Sequence, residues 1–308
     1  MIRNLSPISK KLSDISIIIP VFNEEKYIIK CLESIAKTGI KDVYIEDANS
    51  SDETVKLIRN FKSDLNIRLF TNNFKKPPYD SLYFLISKVQ TNWFYFIGAD
   101  DTLDALTFKN AKKEINDSYS YHIPLMEFWS ENKGKSLGIY PQKDFISGIN
   151  SANSRFELVK VFIDYGTLDM LVLGIHRKAI PLWCYENLKV HSKEGINFWQ
   201  VLVTLLINNS YPKITTSKDP ALLKIFDQIY PSGDQHPEND RVNKQDFFSL
   251  VKYTMNSLFN IFVVTLKFKL SLNIIFLLLF RKRGLKNKIR PACKAPLDLS
   301  SVFKKFLK

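Results

Sequence analysis

Two runs of apolar, β-forming residues in this chain end on adjacent carboxylates: DVYI runs into Glu46 and Asp47, and WFYFIGA into Asp100 and Asp101. Neighbouring carboxylates repel each other and gain little structurally, so at Asp100 and Asp101 a bound cation is the better explanation. Hard divalent ions such as Mg²⁺ or Mn²⁺ take oxygen ligands, commonly one or two carboxylates completed by the phosphates of a substrate. Asp47 leads into the polar loop Asn49, Ser50, Ser51, Asp52. Asp and Asn after a strand also form turns, and Asp52 followed by Glu53 reads better as a cap on the next helix than as a ligand.

Other chemistries are excluded by what is missing. The chain has 10 glycines and neither G-x-G-x-x-G nor G-x-x-x-x-G-K-[ST], so no glycine loop cradles a phosphate at a helix start. A nucleotide held here needs another means of neutralising its diphosphate, and a cation on the paired acids would supply it. H-E-x-x-H and G-x-S-x-G are absent. Cys31, Cys184 and Cys293 form no C-x-x-C pair, which leaves neither a zinc ribbon nor a dithiol and suits separate reduced thiols.

The elements that must position these acids follow from periodicity. Residues 15–21, 42–47, 67–71 and 93–97 read as strands, and their β-branched and aromatic content suits burial on both faces of a mostly parallel sheet. Helices are predicted over 24–37 and 52–61, with Tyr27, Ile28, Cys31, Leu32 and Ile35 on one face of the first, and over 79–89 after Pro77 and Pro78. In an open parallel sheet ligands bind at the carboxyl ends of the strands, where both acidic pairs fall. Beyond Asp101 the spacing predicts a helix over 103–115, a strand over 119–128, a loop-rich stretch marked by Gly134, Gly138, Pro141 and Gly148, and helices over 155–163 and 195–207. The organisation expected is a tail over 1–13, an α/β domain over 14–211, a polar, proline-bearing linker over 212–245, and an apolar helical segment with a basic tail over 246–308.

At this point the chain resembles the family 2 glycosyltransferases. IIIPVFNEEKYIIKCLESI (17–35) is similar to the family's opening P-x-Y-N-E strand and helix, IEDANSSDET (45–54) to its nucleotide-binding segment, and YDSLYFLISKVQTNWFYFIGADD (79–101) to the helix, strand and D-x-D-type metal motif in the form ending G-A-D-D. The resemblance spans about 90 residues in order and fades after Ile115. It implies a GT-A fold, a Rossmann-like, mostly parallel sheet flanked by helices. By position it implies that Pro20, Val21 and Phe22 frame the base of a nucleotide-diphosphate sugar, with Glu24 beside them. Asp47 and Asp80 would approach the donor, and Asp100 with Asp101 would hold a divalent cation, Mn²⁺ or Mg²⁺. Ala48 stands where many members have a second Asp, and Gly98 where many have the first Asp of D-x-D.

Inverting members use a carboxylate base from the second half of the domain, often in an E-D pair that opens a helix. KEGINFWQVL (193–202) is similar to that segment and keeps Glu194, with Gly195 in place of the Asp. Glu194 is the candidate base, or a helix-start carboxylate favoured by the macrodipole. LGIHRK (173–178) resembles the strand that precedes this helix. The function implied is transfer of a sugar, with inversion, to a hydroxyl of a glycan or lipid-linked acceptor in surface polysaccharide assembly. A catalytically impaired nucleotide-sugar-binding module and a nucleotidyltransferase are the alternatives, the second lacking its usual glycine-rich basic opening loop.

The net charge of +13 speaks to location. Residues 281–308 hold ten basic residues and one acid, hence +9, and the other 280 residues carry +4. The apolar stretch 257–280 before this tail is interrupted by Lys267, Lys269 and Asn273, short of the roughly 20 continuous apolar residues of a spanning helix. It reads as an in-plane amphipathic helix or helical hairpin, with the basic tail on an anionic membrane surface. No secretory signal is recognisable in residues 1–14, so the expected place is the cytoplasm, peripheral on the inner face of the plasma membrane. No nucleic-acid recognition module is visible, and no nucleic-acid partner is expected.

Overall fold

The structure is a computed structural model that describes residues 15–74, 78–114, 121–130, 134–140, 143–154, 174–178 and 214–226, together with 157, 158, 160, 161, 182, 185 and 186. The first half of the sheet is built from β1 (Ile15–Val21), β2 (Asp42–Asp47), β3 (Asn66–Thr71) and β4 (Trp93–Phe96), all parallel, in the order β3-β2-β1-β4. Helices α1 (Ile28–Ala36), α2 (Thr54–Asn60) and α3 (Pro78–Lys88) connect them, and α4 (Ala105–Glu114) follows. β1 and β2 run side by side because both are apolar on each face. Ile17, Ile19, Val43 and Ile45 pack with Ile28, Cys31, Leu32 and Ile35 of α1 on one side. On the other, Ile18 and Tyr44 lie buried beneath α3, whose Leu82, Leu85 and Ile86 are buried in turn. Each such side chain taken fully out of water contributes roughly 1.5–3 kcal/mol.

α1 begins four residues later than its apolar spacing suggests. The Glu24 carbonyl accepts from the Tyr27 and Ile28 amides at 3.0 and 2.9 Å, so residues 24–27 form a turn that launches the helix. α2 begins at Thr54, whose amide donates to Asp52 Oδ1 at 3.0 Å; the cap position itself falls to Glu53, which makes no side-chain capping bond, so Asp52 shapes the approach to the helix without capping it.

The second half of the sheet is mixed. β8 (Ile175–Arg177) pairs antiparallel with β4 and with β6 (Tyr121–Ser130), while β7 (Lys135–Tyr140) lies antiparallel on β6. β9 (Ile214–Phe226) runs parallel to β6, and β5 (Thr102–Leu103) pairs antiparallel with β9. Two expectations are corrected here. Residues 214–226 open the stretch read as a linker, yet they form a strand. Pro220 misled because it cannot donate to a ladder, but together with Pro124 it falls where the β6–β9 register shifts, a place where strands tolerate proline. The stretch read as loop-rich contains β7 and α5 (Lys143–Ser151). Gly134, at φ +56°, belongs to the turn into β7, and Gly148 is a packing glycine: a Cβ there would lie 3.1 Å from Val161.

The chain divides into two compact units, residues 1–142 with 170–183 and 210–228, and residues 143–169 with 184–209 and 229–308. The first contains every described strand and α1–α4; the second contains α5, with Phe145 and Ile149 buried. Glu194, the predicted helix over 195–207 and the apolar and basic segments of 246–308 lie outside the described residues. Among the described residues no helix is long and apolar enough to cross a membrane.

Candidate active site

The carboxyl edge of the parallel strands carries the predicted residues. β1 and β2 end in register, Pro20 opposite Glu46 and Val21 opposite Asp47. Val21 is buried, whereas Pro20, Phe22 and Glu24 are half-buried at the start of the turn after β1. Asp47 is only 2% exposed, and its carboxylate accepts from the amides of Asn49 at 3.1 Å and Ser50 at 3.1 and 3.3 Å. That is an Asx turn, in which a side chain takes the place of backbone in folding the loop. Asn49, at φ +70°, supplies the left-handed residue the turn needs. From β3, the Asn72 side-chain amide donates to the Asp47 carbonyl at 3.1 Å and to Oε1 of buried Glu46 at 2.9 Å, bracing the end of β2.

At the end of β4 the chain turns at residues 97–101, with the Asp101 amide donating to the Gly98 carbonyl at 3.1 Å. Asp101 is fully buried and Asp100 half-buried. Both carboxylates fold back over the bare face of Gly98. A Cβ at that position would lie 2.5 Å from Asp100 Oδ1, closer than real side chains allow, and 3.0 Å from Asp101 Oδ2, a tight contact. Two residues of α1 support this turn from beneath. Cys31 Sγ donates to the Gly98 carbonyl at 3.7 Å, and Ser34 Oγ accepts from the Leu103 amide at 3.0 Å while donating to the Cys31 carbonyl at 2.7 Å.

The acids at this edge act on the buried groups beside them. Burial raises the Cys31 thiol well above the ordinary range, and Asp101, Asp100 and Glu24 raise it further. Tyr95 is raised in the same way, first by burial and then by Asp101. Acids from the turns after β1 and β4 thus act on one thiol, and negative charge accumulates at this part of the edge. Among the described residues no group of three or more His, Cys, Asp or Glu is arranged to hold a metal ion alone. The oxygen-only pair Asp100 and Asp101 nonetheless fits the usual donor set of a hard divalent cation, in which phosphate oxygens complete the shell.

Asp80 is exposed in the first turn of α3, where the helix dipole favours an acid. Sequence reasoning missed the supports of the acidic turn, Cys31 and Ser34. The available signal was a serine three residues after a cysteine on the apolar face of α1, a polar group that needs a buried partner.

Comparison with known proteins bears on this geometry. Residues 16–166 match the family described as Glycosyl transferase family 2. In sequence the chain is similar to a GalNAc(5)-diNAcBac-PP-undecaprenol beta-1,3-glucosyltransferase of Campylobacter jejuni, 28% identical over 111 residues that cover 35% of this chain and 36% of that protein. It is also similar to a dolichyl N-acetyl-alpha-D-glucosaminyl phosphate 3-beta-D-2,3-diacetamido-2,3-dideoxy-beta-D-glucuronosyltransferase of Methanococcus voltae, 40% identical over 72 residues, covering 21% and 22% of the two chains. The matched region is therefore well under half of either relative. In fold the chain is similar to residues 1–349 of Staphylococcus aureus TarS solved with UDP, at a TM-score of 0.56, 17% identity, and coverage of 90% of this chain and 76% of that one. The likeness supports a GT-A-like α/β fold with a mostly parallel sheet.

Proposed function

We propose, from the premise that the chain belongs to glycosyl transferase family 2 through residues 16–166, that it moves a sugar from a nucleotide-diphosphate sugar to a hydroxyl of a glycan or lipid-linked acceptor in surface glycan assembly. The observation that carries this reading is the convergence of Asp100 and Asp101 over Gly98, with Glu24 close enough to act on the same buried thiol, at the strand edge where ligands of parallel sheets bind. The two sequence relatives named above are glycosyltransferases whose names specify polyprenyl-linked glycans, and the TarS structure was solved with UDP.

In this reading Phe22 and the 48–53 turn take the base and ribose, and the Asp47 carboxylate sets the shape of that turn. Asp100, backed by Asp101, would hold a divalent cation, which would supply Lewis-acid stabilisation of the departing nucleoside diphosphate. Glu194 is the base that takes the proton of the acceptor hydroxyl as it attacks, and a single displacement inverts the anomeric centre. The basic segment 281–308 keeps the enzyme against anionic headgroups, near a lipid-linked acceptor.

A thermal-shift panel of nucleotide sugars with and without Mn²⁺ tests the reading, since a ligand that binds only the folded chain raises Tm. Stabilisation by one donor, strengthened by Mn²⁺, followed by release of its nucleoside diphosphate, is the expected outcome. A panel in which no nucleotide sugar moves Tm would sink it.

A further inference from the structure

The turns after β1 and β2 are joined by side chains more than by backbone. Their strands end in register at Val21 and Asp47, and two residues beyond each end stands an asparagine in the left-handed region, Asn23 at φ +57° and Asn49 at φ +70°. From there the two turns interlock. The Asn23 amide donates to Ser50 Oγ at 2.8 Å, and Asn23 Oδ1 accepts from the Ser51 amide at 2.9 Å. One residue on, the Glu24 amide donates to Oγ1 of buried Thr54 at 2.7 Å. At the exposed end the Glu25 amide donates to Asp52 Oδ2 at 3.1 Å, and the Glu53 amide donates to Glu25 Oε2 at 2.9 Å.

We infer that Asn23 and Thr54 are positioning residues for the nucleoside diphosphate. They lock Phe22 and the 48–53 turn at one separation before ligand arrives, so that binding does not have to order either turn. This rests on the reading of that edge as the nucleotide site. The physical basis is pre-organisation: a loop already held in its bound shape avoids the entropy cost of being ordered by the ligand. The contact of Glu24 with Thr54 carries most of it, because the bonds of Glu25 with Asp52 and Glu53 and that of Asn23 with Ser51 are exposed and compete with water, whereas Thr54 is buried.

Two substitutions separate positioning from general stability. Asn23→Gly keeps the left-handed turn open to the backbone and removes the acceptor for Ser51. Thr54→Val keeps the branched shape and removes the acceptor for Glu24, while Thr54→Ser restores it. Titration calorimetry with UDP, GDP and dTDP in the presence of Mn²⁺ is the measurement, with circular dichroism to confirm that each variant is folded. The expected result is that Thr54→Val weakens the nucleotide bound by the native chain about tenfold, that Asn23→Gly weakens it by about threefold, and that Thr54→Ser binds within about twofold of native. Folded variants that bind that nucleotide as tightly as the native chain would overturn the inference and leave the proposed function standing. A native chain that binds none of the three would overturn both.

Discussion

Asp47 ends β2 and Asp100 lies in the turn that follows β4, the two parallel strands that flank β1 in one sheet, yet their surroundings differ in kind. The Asp47 carboxylate is buried and taken up by the amides of Asn49 and Ser50, so it acts as part of the loop's frame. The Asp100 carboxylate is half-buried and crowds with Asp101 over a glycine, above a thiol raised by burial and by these same acids. The contrast teaches that an acid at a strand end contributes according to what the backbone offers it. Where amides point at the carboxylate, its charge is compensated internally and shapes a turn. Where a second carboxylate is the neighbour, the two charges oppose each other across the turn.

The sharpest way to break this comparison is to remove each acid in turn. Asp100→Ala is expected to lower sugar transfer by at least about a hundredfold while the melting temperature stays close to native, as befits a group whose partner is a ligand. Activity assays beside thermal melts check this, and retained Mn²⁺-dependent turnover would erase the distinction. Asp47→Ala is expected to behave in the opposite sense, costing about 1.5–3 kcal/mol of stability by leaving two loop amides without their charged acceptor. Chemical denaturation measures it, and an unchanged midpoint would show that the Asx turn does not depend on that carboxylate.

Gly98→Ala sharpens the other side. The added Cβ meets both carboxylates, so a loss of about 1–3 kcal/mol is expected together with a smaller rise in Tm on adding Mn²⁺ and nucleotide. A variant with native stability and a native Mn²⁺ response would show that the carboxylates do not need that space. The smallest effect belongs to Asn49→Gly, which preserves the left-handed turn and is expected to fall within about 0.5 kcal/mol of native, whereas Asn49→Ala should lose about 1 kcal/mol. Equal stabilities for the two variants would remove the backbone argument for Asn49.

The strands of the parallel half were legible to within one residue at their ends, because β1 and β2, buried on both faces, read as nearly unbroken apolar runs. β1 ends at Val21 where its apolar run stops, and β2 continues past its apolar run through Glu46 to Asp47. The mixed half was much less so. β9 carries Pro220 and a polar first half, and its pairing with β6 across a register shift and with β5 makes a strand of it. α5 was hidden by Gly148, whose role against Val161 depends on a residue 13 positions away.

By itself, then, the sequence determined which acids reach the sheet's carboxyl edge and in what order, because alternation of apolar strands and amphipathic helices leaves a parallel sheet few arrangements. Only the tertiary structure decided what each acid does there. The amides around Asp47, the empty face of Gly98, the support of Cys31 and Ser34, and the link from Asn23 to Ser51 join residues from 2 to 69 positions apart. The fate of a carboxylate is set by donors and charges within a few ångströms, and those distances come into being only when the strands are side by side.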